Sequence, residues 1–157
     1  MNIDNIIRVA DLNAHYVDAI DADRLEAWPD FFLENARYRI TTAENVAEGL
    51  PVSIIYTTSR GMMRDRVTAL REANVYEAQR YRHVVGMPLI TNAGPDTLRA
   101  RTNFMVTRVM RTGETMLFAT GCYEDVVAFD GPHAAKFAEK TVIIDSRQID
   151  TLLAIPL

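Results

Sequence analysis

Apolar residues at the start of the chain recur every three to four positions. Ile3, Ile6, Ile7, Ala10, Ala14 and Val17 form one stripe, with Asp4, Arg8, Asp11 and Asp18 mostly outside it. That pattern predicts a helix over about 3–20. Asp23 with Glu26 three residues later has the spacing of a capping box and predicts a short second helix. This segment carries Leu25, Trp28, Phe31 and Phe32, an aromatic cluster expected in the core. Pro29 fits only near the start of such a helix or where it bends. From Ala36 to Thr41 the period drops to two: Ala36, Tyr38 and Ile40 face one way, Arg37 and Arg39 the other. That is a half-buried strand.

Glu48-Gly49-Leu50-Pro51 punctuates the chain, and Val52 to Tyr56 reads as extended. Thr58 or Ser59 is placed to cap a third helix running to about Glu77, with Met63, Val67, Leu70 and Asn74 inward. The remainder reads as strands: Arg82 to Ile90, interrupted by Gly86 and Pro88; Leu98 to Arg111; Met116 to Phe129; and Ala135 to Asp145. Asn92 to Asp96, Thr112-Gly113 and Asp130-Gly131-Pro132 are the turns. In the long strand from Leu98, the predicted inner face carries Leu98, Ala100, Phe104, Val106 and Met110. Helices first and an antiparallel meander afterwards predict an α+β fold, with the helices on one face of a curved sheet. No repeat, linker or low-complexity stretch divides the chain, so 1–157 is expected to be one domain.

Composition narrows the functions. The 157 residues are 48% hydrophobic and 24% charged, which suits a globular core. Seventeen basic against 21 acidic residues give a formal charge of −4, with no general attraction to nucleic acid or anionic membrane. No apolar run approaches the roughly 18 to 20 residues of a membrane span, and no signal-like N-terminus is present. One cysteine, Cys122, allows no intrachain disulfide and fits a reducing compartment; a cytoplasmic protein is expected.

The donor inventory is short. A Rieske cluster takes two cysteines and two histidines, and a mononuclear non-haem iron takes two histidines and a carboxylate. The histidines here are His15, His83 and His133. Asp130 and His133 have an acid-x-x-His spacing, but in a Gly-Pro turn. No phosphate-binding loop, dinucleotide fingerprint or nucleophile elbow is present. Cys122, between Gly121 and Tyr123 in a strand, reads as a small buried apolar residue. The residues therefore give no catalytic, cofactor-binding or metal-binding assignment. Fifteen of the 17 basic residues are arginines, a bias typical of interfaces, where the planar guanidinium binds carboxylates in pairs of bonds. Arg80, Tyr81, Arg82, His83, Arg99 and Arg101 are the candidate subunit interface.

Several stretches resemble one family. Trp28-Pro29-Asp30-Phe31-Phe32 after a first helix is similar to the entry segment of small subunits of Rieske-type ring-hydroxylating dioxygenases. So are Met63-Arg64-Asp65-Arg66-Val67 and Tyr81-Arg82-His83-Val84-Val85-Gly86. The subgroup acting on carboxylated aromatics resembles the chain further, at Leu70 to Glu77, Phe104-Met105-Val106, Arg111 to Thr115 and Asp150 to Leu157. The resemblance implies a cone of the nuclear transport factor 2 class with a strongly bent antiparallel sheet. It implies a structural role beside a large subunit carrying the [2Fe-2S] Rieske cluster and mononuclear Fe(II). Three large and three small subunits are expected, served by a reductase, and no catalytic residue is carried over to this chain. Two other readings stand beside it. One is a stand-alone dehydratase or isomerase using Asp11, His15, Tyr16 and Tyr38 in an open cone. The other is a homo-oligomeric binding module.

Overall fold

The computed structural model describes residues 3–73, 77–131, 134–148, 153 and 155–157; for Asp130 only the backbone is described. Helix α1 (Ile3–Asp21) forms where predicted but turns a different face inward. Val9, Leu12, Asn13, Tyr16, Ala19 and Ile20 are buried, while Ile3 and Ile7 are 65% and 60% exposed. The reason lies in size and polarity. Burying Tyr16 removes more apolar surface than an alanine at the same depth, and Asn13 finds polar partners inside.

Asp23 does not cap a second helix. It takes a left-handed φ of 57° just past the end of α1. Its N–H donates to Ile20 O (3.0 Å), and the Arg24 N–H donates to Ala19 O (2.8 Å). This is the Schellman arrangement that closes a helix C-terminus. The next turn, Leu25–Phe31, is a 3₁₀ helix with no side-chain cap. The two predicted capping acids instead receive Arg71 from α3 (Arg60–Ala73). Arg71 donates to Glu26 Oε1 at 2.7 Å and to both Asp23 carboxylate oxygens at 3.0 Å. Arg71 holds the Glu26 carboxyl down at about 2. The clasp is at the surface, so Arg71→Ala is expected to lower stability by only about 1 kcal/mol in urea titration.

Ser59 begins α3 by accepting from the Met62 N–H (3.2 Å), and Met63 and Val67 are its buried face. Asn74 lies outside the described residues. A five-residue helix not expected from the sequence, α2 (Ala43–Ala47), is capped by Thr42, which accepts from the Asn45 N–H.

Among the described residues, seven strands make one sheet: β1 (Phe32–Thr42), β2 (Ile55–Thr57), β3 (Gln79–Val85), β4 (Leu89–Ala93), β5 (Thr97–Met110), β6 (Thr115–Asp130) and β7 (Ala134–Ile144). Their order is β2-β1-β7-β6-β5-β3, with β4 also on β5. The single predicted strand around Gly86 and Pro88 is thus two, which pair in succession along β5. Proline lacks the N–H that an unbroken ladder would need there. Every pairing is antiparallel except β1 with β7, which is parallel. Register shifts in β1/β7, β5/β6 and β6/β7 mark bulges that bend the sheet around the helices. The core lies inside that curve. Tyr16, Trp28, Phe32, Tyr38, Tyr123 and Phe137 fill it, mostly edge to face.

Candidate functional site

The cone interior is the first place to look for chemistry, and it holds a buried ion pair. Asp125 on β6 and Lys140 on β7 are cross-strand partners, and both side chains are inaccessible to solvent. Lys140 Nζ donates to Asp125 Oδ2 and to Asn13 Oδ1, each at 3.1 Å. Asn13 Nδ2 donates onward to Thr102 Oγ1 (3.3 Å). The ammonium also lies 3.7 Å from the Tyr123 ring centre and 4.2 Å from that of Phe137, both attractive for a cation. Burial raises the Asp125 carboxyl to about 6 and lowers the Lys140 ammonium to about 8, and mutual attraction only partly offsets this. Both residues are fully enclosed, so the pair has no room for a substrate.

His83 on β3 forms a second buried pair. Its Nδ1 lies 2.6 Å from Asp21 Oδ1, and its backbone N–H donates to Asp21 Oδ2 (2.8 Å). Asp21 thereby joins the end of α1 to the edge of the sheet. The open cleft of about 640 Å³ beside it is lined by Asp21, Tyr81, Arg71, Arg80, Arg82 and Ile155, among others, but not by His83. The imidazole is therefore in the wall and not in the cavity.

The dehydratase-like set is not assembled. Asp11 and His15 form an exposed pair 3.5 Å apart on the outside of α1, while Tyr16 and Tyr38 are inside. Both tyrosines are committed to the C-terminal segment: Tyr16 and Tyr38 donate to Leu157 O at 2.6 and 3.0 Å, and the Leu157 N–H donates to Tyr38 (3.0 Å). Trp28 and Phe32 are wholly buried, Phe104 is 5% exposed, and Phe31 is half-buried. The cone is full of its own side chains.

Among the described residues, no three of His, Cys, Asp or Glu come together as a metal site. His133 and the Asp130 side chain lie outside the described residues. Cys122 is buried, and burial raises its thiol despite the adjacent Arg101 guanidinium. No helix among the described residues is long and apolar enough to cross a membrane.

The interface candidates divide by strand parity. Arg80, Arg82, Arg99 and Arg101 are exposed on the outer face, whereas Tyr81 and His83 point into the core. Arg82 pairs opposite Thr107 and Arg101 opposite Leu89, so the arginines stand at two ends of a stretch of β5 about 20 Å long. Exposed Val84, Met87, Leu89 and Met105 share this region. Arg108 departs from the other strand arginines: it is 7% exposed and lies over the Phe118 ring at 4.6 Å.

A bent sheet wrapped around N-terminal helices into a filled cone defines the nuclear transport factor 2 class of domain. Within that class, the family model for the ring hydroxylating beta subunit matches residues 15–151. The chain belongs to this family. It is 44% identical over 154 residues to the terephthalate 1,2-dioxygenase terminal oxygenase component subunit beta 1 of Comamonas sp, covering 98% of this chain and 99% of that one. It is 37% identical over 146 residues to the anthranilate 1,2-dioxygenase small subunit of Burkholderia cepacia, covering 93% and 90%. A crystal structure described as the beta subunit of an aromatic-ring-hydroxylating dioxygenase from Novosphingobium aromaticivorans superposes with a TM-score of 0.89. It shares 34% identity, covering 99% of this chain and all of that one. These relatives are components of dioxygenase complexes, and this chain is the small-subunit component.

Proposed function

We propose that the chain, acting as one domain over 1–157, is the structural small subunit of a terephthalate 1,2-dioxygenase. That enzyme dihydroxylates terephthalate to a cis-dihydrodiol with O2 and electrons from a nicotinamide cofactor. The observation that carries this reading is 44% identity across nearly the whole of both chains. The large subunit would hold the Rieske cluster and Fe(II), three copies of each chain would assemble in the cytoplasm, and a separate reductase would feed them. The work of this chain is then geometric: it buries surface against the large subunit and holds the oxygenase in register. Its filled cone supports a scaffold over a stand-alone dehydratase or isomerase. A second substrate reading, anthranilate-type, rests on the 37% relative; a salicylate 5-hydroxylase is the further alternative, on sequence resemblance alone.

Co-expression with the large chain from the neighbouring reading frame tests the proposal. A native mass of three plus three chains, iron only when the large chain is present, and terephthalate consumption are expected. Stoichiometric iron in the lone small chain would overturn the structural role. Turnover of anthranilate or salicylate with terephthalate untouched would move the substrate to the matching alternative.

The outer arginines, with the apolar strip between them, suit an interface with an acidic-rimmed partner. The paired change Arg82→Glu/Arg101→Glu is expected to leave the unfolding midpoint of the lone chain nearly unchanged, since both sites are exposed. It should weaken capture of the large subunit tenfold or more, read by surface plasmon resonance at several salt concentrations.

A further inference from the structure

The last described residues belong to none of the seven strands, yet they sit in the middle of the fold. Leu157 is fully buried and Ile155 is 7% exposed. The polar contacts that hold this segment come from side chains more than a hundred positions away and go to main-chain atoms. One hydroxyl, that of Tyr38, accepts from the Leu157 N–H and donates to the Leu157 main-chain oxygen, and Tyr16 donates to the same oxygen. Burial raises both phenols well above their ordinary range, so they remain neutral donors across the working pH range. Donors and acceptors that clamp a peptide backbone, with apolar walls around the side chains, are how proteins bind short peptides. Ile155 also lines the open cleft of about 640 Å³ that reaches solvent beside Asp21 and Tyr81. The segment thus has core on one side and a route out on the other.

We propose that the cone is a peptide socket whose resident ligand is the chain's own Ile155–Leu157 segment. When the resident is weakened, the socket accepts a short apolar peptide of the same Ile-Pro-Leu chemistry in trans. This proposal is independent of the substrate and of the large subunit.

The full-length chain carrying Leu157→Ala tests it, with the N-terminally fluorescein-labelled pentapeptide Leu-Ala-Ile-Pro-Leu, its C-terminus a free carboxylate as in the chain tested, as probe. Polarisation reports binding. The single tryptophan, Trp28, reports occupancy, because its ring is 5.0 Å from that of Tyr38. Saturable binding to the variant is expected. The wild-type chain should bind at least tenfold more weakly, because its tethered segment competes at an effective concentration on the order of millimolar. Adding Tyr38→Phe should weaken binding about tenfold through loss of the hydroxyl's two bonds. A peptide ending in Asp should not bind. A folded Leu157→Ala chain that takes up no peptide, or that takes up the Asp-ended peptide equally well, overturns the proposal. If Leu157→Ala does not fold, Leu157→Val carries the same comparison. Failure of both to fold also overturns it, since the segment would then be inseparable core and not a ligand.

Discussion

Gly121→Ala is expected to cost at least about 4 kcal/mol and to leave the chain largely insoluble on expression, far beyond the usual cost of a single added methyl. Gly121 lies on β6 opposite Ile144 of β7. A Cβ at Gly121 would stand 1.9 Å from the Ile143 carbonyl oxygen, 2.9 Å from its carbonyl carbon and 3.1 Å from Ile144 Cα. All three are backbone atoms, so no rotamer change relieves the overlap, and β7 must move away as a unit. That movement breaks the β6–β7 ladder at the level of Val142 and Ile144, both core residues. Gly113→Ala is the matched control. It adds the same methyl in open space at a turn with φ of +88°, where only backbone strain opposes it. About 1 kcal/mol is expected there. Urea titrations followed by Trp28 emission compare the two. A Gly121→Ala chain within about 1 kcal/mol of wild type would show that the strands have slack that the structure does not contain.

Lys140→Ala is the second large effect, with a loss of about 3–5 kcal/mol. The change leaves the Asp125 carboxylate without its cation and Asn13 Oδ1 without its donor, all out of reach of water. The apolar pair Asp125→Leu/Lys140→Met should recover most of that loss, because desolvating the ions offsets much of their attraction. Dependence on pH separates the two ideas. Asp125 holds its proton up to about 6 in the folded chain, against an ordinary value of 3.8. Between those values the folded chain binds more protons than the unfolded one. The contribution is therefore complete below pH 4 and is lost as the pH rises through 6. Lys140 runs the opposite way: it gives up its proton near 8 instead of 10.5, so its contribution grows between pH 8 and 10.5. Relative to the apolar pair, the wild-type chain should lose stability between pH 4 and 6. A flat difference across that interval would mean that burial does not raise the Asp125 carboxyl.

Local rules made much of the architecture legible. The strict alternation of β5, the Ser59 cap and the approximate span of α1 all depend on neighbours a few residues apart. The face of α1 was harder, because Ile3 and Ile7 are as apolar as anything on the buried side. Asp23 and Glu26 had a capping spacing, but Arg71, more than 40 residues on, engaged both. The Asp21–His83 contact joins residues 62 positions apart, beyond any local pattern. The ion pair did leave a trace. Asp125 shares strand parity with Tyr123 and Val127, and Lys140 shares it with Val142 and Ile144, so two opposite charges stood at inward positions of neighbouring strands. Lys140 is also one of only two lysines in a chain that otherwise uses arginine. Of the six residues proposed for an interface, strand parity separates the outward Arg80, Arg82, Arg99 and Arg101 from the inward Tyr81 and His83.

The parallel join of β1 to β7 also bears on how the molecule forms. Residues 37–42 align with 139–144, so this seam closes over a loop of about a hundred residues. Loop closure of that length must precede the contacts that repay it, which slows folding. A ribosome delivering this chain therefore leaves β1, with Phe32 and Tyr38, unjoined to the main sheet until the last strand emerges. Nascent chains of this kind are expected to rely on chaperones or on prompt release.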